Sequence, residues 1–93
     1  MYVYTALFQL HLSSRSLKEK RGIVKSILAR ARNRFNVAAA EVDLQDKHGT
    51  AILAFVTVAE KGLQARRLLE SLEAWLVDER PDVEVAAVEI EER

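Results

Sequence analysis

Ninety-three residues, 30% of them charged, with no cysteine and a formal net charge of zero, describe a single domain, residues 1–93, that folds without disulfides. This composition excludes a thiol nucleophile, a cysteine-based metal site and a separate catalytic domain beside the core. A dedicated nucleic-acid binder usually carries a lopsided total charge, so any such role here must come from how the charges are arranged.

Met1 to Leu12 alternates with period two. Tyr2, Tyr4, Ala6, Phe8, Leu10 and Leu12 share one face, and Val3, Thr5, Leu7, Gln9 and His11 the other, as a strand requires. The segment has no basic n-region or small-residue cleavage site, so a signal peptide is not expected. No apolar run approaches the ~20 residues that cross a bilayer. With the missing thiols, this fits a cytoplasmic location.

Ser13 to Ser16 is a polar loop. Ser16 and Glu19 match the S-x-x-E capping box and predict a helix from Leu17 to near Asn33, closed by Asn33 or Asn36 in a left-handed conformation. Leu17, Val24, Ile27, Leu28, Ala31 and Phe35 define its apolar stripe. Eight of the 14 basic residues lie between Arg15 and Arg34 beside one acid, Glu19, so this segment carries +7 and the remainder −7.

A second strand is expected from Val37 to Gln45, then a turn at Asp46-Lys47-His48-Gly49 with Gly49 at positive φ. The third strand, Thr50 to Ala59, is apolar on both faces. A second helix opens at Glu60-Lys61-Gly62 and runs to about Glu79, ahead of Pro81. Leu63, Ala65, Leu68, Leu69, Leu72, Trp75 and Leu76 form its stripe. In the fourth strand, Val83 to Ile90, the alternation changes phase, which predicts a bulge near Ala86-Ala87. Glu91-Glu92-Arg93 reads as a frayed tail. The order β-α-β-β-α-β in this length is the ferredoxin-like α+β sandwich, a four-stranded antiparallel sheet with both helices on one face.

The runs Ser16-Leu17-Lys18-Glu19-Lys20-Arg21, Arg34-Phe35-Asn36-Val37 and Ala40-Glu41-Val42 resemble the YlxP-like family of small bacterial proteins of unassigned function. The resemblance spans essentially the whole chain. It implies a ferredoxin-like fold and genes set beside those of translation initiation and ribosome maturation, and it brings no catalytic or ligand residues. The chain departs from the family in two loops. Ser13-Ser14-Arg15 stands where a Pro-Gly loop is common, and Lys47-His48-Gly49 where the turn is usually longer and aromatic.

Two constellations carry functional weight. At 100° per residue Lys18, Arg21, Lys25 and Arg32 fall in one stripe beside the apolar seam, with Arg15 just before it. The stripe suits an electrostatic contact to RNA phosphates. The competing reading is a solvated face whose cations pair with Glu41, Asp43 or a partner chain. On the sheet face away from the helices, Val3, Leu7, Ile52, Ala54 and Val56 form an apolar patch, which marks a homodimer interface. The sheet lacks the aromatics on which single strands stack, since Thr50 and Ile52 occupy those places.

An anion site at Ser13 to Ser16, a cation site at Glu41, Asp43 and Asp46, and a small-molecule pocket on the open face are weaker alternatives. His11 and His48 show no pattern of a metal site or a nucleophile–base pair. No cofactor, metal or catalytic activity is expected. The functional expectation is therefore an RNA-contacting accessory factor of ribosome maturation or translation, with a homodimeric protein–protein adaptor as the alternative.

Overall fold

In the computed structural model, which describes residues 1–93, the elements are β1 (Tyr2–Leu12), α1 (Leu17–Arg34), β2 (Ala38–Asp43), β3 (Thr50–Ala59), α2 (Gly62–Glu79) and β4 (Val83–Glu92). The strands form one antiparallel sheet in the order β2-β3-β1-β4, with both helices packed on one face. This is the ferredoxin-like arrangement.

Alternation decides which face is covered. Ala6, Phe8, Leu10 and Leu12 of β1 and Ala51, Leu53 and Phe55 of β3 are buried beneath Val24, Ile27 and Ala31 of α1 and Leu69, Leu72 and Leu76 of α2. Phe8 and Phe55 meet edge to face at 5.1 Å between ring centroids. Fully burying a side chain of this size stabilises by roughly 1.5–3 kcal/mol, far more than any helix propensity, so the helices settle over these residues.

The bulge falls where the phase change put it. Ala87 pairs with Gln9 and Val85 with Leu10, leaving Ala86 as the extra residue. A second irregularity, between Glu41 and Asp43, shifts the register of β2 against β3.

Several local expectations are corrected. Gly49 does not take positive φ; Leu44 does, at 61°. That residue ends β2 at Asp43 rather than Gln45, and the turn is closed by the Lys47 N–H donating to the Leu44 carbonyl at 3.0 Å. Gly49 instead accepts from the Leu12 N–H at 2.9 Å as the chain straightens into β3. Neither Asn33 nor Asn36 is left-handed. The helix ends at Arg34, and Phe35 is extended (φ −125°), with its ring packed edge to face on Trp75 at 5.7 Å. Burial of that ring outweighs the turn preference of asparagine. Leu63 lies off the buried stripe of α2, at 59% exposure. The tail is also tied down. β4 continues to Glu92, the Arg93 N–H donates to the Val3 carbonyl at 2.7 Å, and its guanidinium reaches Thr5 Oγ1.

Candidate nucleic-acid interface

α1 starts where its cap dictates. Ser16 Oγ accepts the Glu19 N–H at 3.1 Å, and Leu17 is the first helical residue. From there, helical geometry sorts the eight cations of the segment into three groups.

Lys20 points inward. It sits four, seven and eleven residues before Val24, Ile27 and Ala31, on the same seam, and is 1% exposed. A buried ammonium needs acceptors. It donates to the Leu44 carbonyl at 2.6 Å and the Lys47 carbonyl at 2.5 Å, and lies 2.9 Å from Glu41 Oε2. That last contact has ion-pair distance without hydrogen-bond angles, so Oε2 is held by charge alone. Lys20 thereby fastens α1 to the β2–β3 turn and holds the carbonyl of the left-handed Leu44. Asp43 Oδ1 steadies the same residue by accepting its N–H at 2.8 Å.

Arg30 and Arg34 face α2. Arg30 is paired with Glu79, and the Arg34 guanidinium lies 5.9 Å from the Phe35 ring centroid. Only Arg30 is tied to α2 by an ion pair; Arg34 is exposed and has none.

Arg15, Lys18, Arg21, Lys25 and Arg32 are all exposed, and none forms an ion pair with a carboxylate of the chain. Pairing with Glu41, one of the acids named for it, therefore holds for Lys20; Arg30 finds Glu79 instead, and these five reach neither Glu41 nor Asp43. Arg32 alone has a protein acceptor, the Ala39 carbonyl at 3.1 Å, which brings its guanidinium to the outer edge of β2 without cancelling its charge. Lys18 and Arg32 lie 14 positions apart, about 21 Å at 1.5 Å per residue.

The two loops that depart from the resembled family meet at the start of this ridge. Ser14, 5% exposed, donates its hydroxyl to the His48 carbonyl, and His48 Nδ1 donates to the Ser14 carbonyl at 2.9 Å. This reciprocal clasp uses the imidazole on a backbone carbonyl and leaves the serine hydroxyl engaged elsewhere, which is a structural arrangement rather than a nucleophile–base pair. His11 faces Glu84 at 3.8 Å across the β1–β4 ladder.

Val3, Leu7, Ile52, Ala54 and Val56 share the uncovered sheet face and are half-buried, with Val58 beside them 50% exposed. Glu89 and Glu91 border this face on β4. Sequence reasoning missed the Lys20 anchor and the Ser14–His48 clasp. The first had a signal, a lysine in register with the apolar seam; the second joins residues 34 positions apart and had none.

No helix is long and apolar enough to cross a membrane. Residues 3–90 match the family model described as "Protein of unknown function (DUF503)". The chain is also similar to the uncharacterized protein YlxP of Bacillus subtilis (strain 168), 35% identical over 69 residues, which is 74% of each chain.

Proposed function

This chain belongs to the DUF503 family, whose function is unknown, and we propose that it is a non-catalytic cytoplasmic factor that contacts RNA through Arg15, Lys18, Arg21, Lys25 and Arg32. One observation carries the reading: five exposed cations on one flank of α1 have no intramolecular carboxylate, while Lys20 and Arg30 on other sides of the same segment are paired. Such a row meets phosphates by charge and does not read bases. A place in ribosome maturation or translation follows from the setting that the sequence resemblance implies.

Fluorescence anisotropy with a labelled RNA duplex across a salt series tests this. Neutralising four or five phosphates predicts a slope of log affinity against log salt of about −3 to −4.5. The triple variant Lys18→Glu, Arg21→Glu, Lys25→Glu is expected to lose about a hundredfold in affinity, with an unchanged far-UV spectrum because all three side chains are exposed. Wild-type affinity in that variant, or no RNA binding by the wild type at 50 mM salt, refutes the reading. A protein partner that survives nuclease treatment of a lysate turns it towards the adaptor.

A further inference from the structure

The face of the sheet opposite the helices is apolar at its centre and, apart from the Arg93 guanidinium lying at Thr5, uncovered. Leu7 and Ala54 are ladder partners in the middle of it, with Val3, Ile52 and Val56 around them. The side chains are smaller than those on the covered face, where Phe8, Leu10, Leu53 and Phe55 lie, as suits close packing of one sheet on another at about 10 Å. We propose that this face seats a second copy of the chain, in a two-fold dimer whose axis runs parallel to the strands between β1 and β3.

The sheet order makes that geometry self-complementary. A two-fold axis in this position lays β3 against the second copy's β1, and β2 against its β4. The apolar centre then meets itself. At the rim, the ladder registers fix the levels. Ala40, Ala54, Leu7 and Glu89 lie on one line across the sheet, and Ala38, Val56, Thr5 and Glu91 on another. Because the axis parallels the strands, it preserves level. Glu89 and Glu91 of one copy therefore come opposite Ala40 and Ala38 of the other. Between those two alanines is Ala39, whose carbonyl holds the Arg32 guanidinium at the β2 edge. Each copy thus offers an arginine at the height of the other's two glutamates, neither of which forms an ion pair within its own chain except Glu91 with the terminal Arg93. Apolar centre and charged rim are the anatomy of a specific interface.

The area is sufficient only if the whole face takes part. Strands about 4.8 Å apart, three of them ten or eleven residues long and β2 six, give at about 3.3 Å per residue a face of about 590 Å² in projection, short of the ~800 Å² per partner of a standard interface. The five apolar residues alone would cover much less, so the rim pairs are part of what makes the dimer. Both α1 helices lie on the outer surfaces of such a dimer, so Arg15, Lys18, Arg21 and Lys25 stay open to RNA while Arg32 is drawn into the rim.

Sedimentation velocity from micromolar to near-millimolar protein is the test. The wild type is expected at twice the chain mass at about 100 μM or below. Ala54→Glu, which puts a carboxylate at the centre of an exposed face, is expected to sediment as a monomer with an unchanged far-UV spectrum. Arg32→Glu is expected to weaken dimerisation about tenfold or more by facing like charges, and adding Glu89→Arg and Glu91→Arg to it to restore the dimer. A wild type that stays monomeric near 1 mM, or a dimer that survives Ala54→Glu, overturns the proposal. Failure of the charge exchange to restore association overturns the two-fold register on which it is built.

Discussion

Replacing Lys20 by methionine isolates what the buried ammonium contributes, because methionine keeps most of the volume and removes the charge. The change leaves the Lys47 carbonyl without its side-chain donor and the Glu41 carboxylate without a counter-charge. The Leu44 carbonyl keeps the Lys47 N–H. Breaking one partner of a buried ion pair costs about 3–5 kcal/mol. The Glu41 side chain is 16% exposed, so water reaches part of it and the lower end applies. A loss of about 3 kcal/mol, with a urea m-value of about 1.3 kcal/mol/M for a chain of this size, lowers the unfolding midpoint by about 2 M. That is a large share of the 5–15 kcal/mol typical of a domain. The double variant Lys20→Met, Glu41→Leu removes both charges and is expected to recover most of the loss, ending within about 1 kcal/mol of wild type. Urea unfolding followed by tryptophan fluorescence reports both, since Trp75 packs against the core. A single variant losing under about 1 kcal/mol, or a double variant no better than the single one, would refute the reasoning.

Leu44→Gly is expected to change stability by less than about 1 kcal/mol, since relief of the left-handed conformation offsets lost packing and backbone entropy; Leu44→Ile, β-branched at φ 61°, is expected to cost about 1–2 kcal/mol more, read from the same urea midpoints. Ser16→Ala removes the acceptor of the Glu19 N–H and is expected to cost about 1 kcal/mol, whereas Ser16→Asp, which caps equally well, is expected to be neutral. The Arg80 guanidinium donates from Nε and Nη2 to both carboxylate oxygens of Asp82, at 3.0 and 2.7 Å, and holds its carboxyl below the ordinary aspartate range. A depressed folded value favours the folded state above the ordinary aspartate pKa, and that contribution fades as pH falls through the folded value. Both partners are partly solvated, so the stability effect is small; the direct readout is the Asp82 carboxyl titration by NMR, which Arg80→Ala is expected to move upward. An unmoved titration would discard the pairing.

What the sequence reveals follows from the range of the interactions involved. Periodicity depends only on neighbours along the chain, so β1, β3, both helices and the Ala86 bulge were readable, and with them the ferredoxin-like order. The turn was not. Gly49 is the residue with intrinsic freedom for positive φ, and local preference selects it. The conformation instead falls on Leu44, because a lysine 24 positions earlier holds its carbonyl. The helix end failed for a similar reason: the Phe35 ring finds Trp75, 40 residues away, and the chain straightens to let it. At the basic segment, the spacing separated Lys18, Arg21, Lys25 and Arg32 from the seam but did not distinguish Lys20 from a surface cation. Its acceptors are backbone carbonyls of the β2–β3 turn, which composition does not reveal.

A net charge of zero is compatible with a phosphate-binding ridge when the two signs are kept further apart than salt lets them interact. Four of the balancing acids, Glu84, Glu89, Glu91 and Glu92, lie on β4, at the opposite sheet edge from β2, about 14 Å away within one chain across three strand spacings. Glu79 of α2 is already occupied by Arg30. At physiological ionic strength the Debye length is about 8 Å. A phosphate arriving at Lys18, Arg21 and Lys25 therefore feels those cations and the single neighbouring acid Glu19, and the β4 glutamates of the same chain hardly at all. At 0.01 M salt, where screening extends to about 30 Å, both signs act across a molecule only 20–23 Å in its shorter dimensions, and the attraction is partly cancelled. Charge segregation of this kind confines attraction to close range. It favours a local docking contact over long-range capture, and for that reason the position of each cation on α1 matters more than the number of cations in the chain.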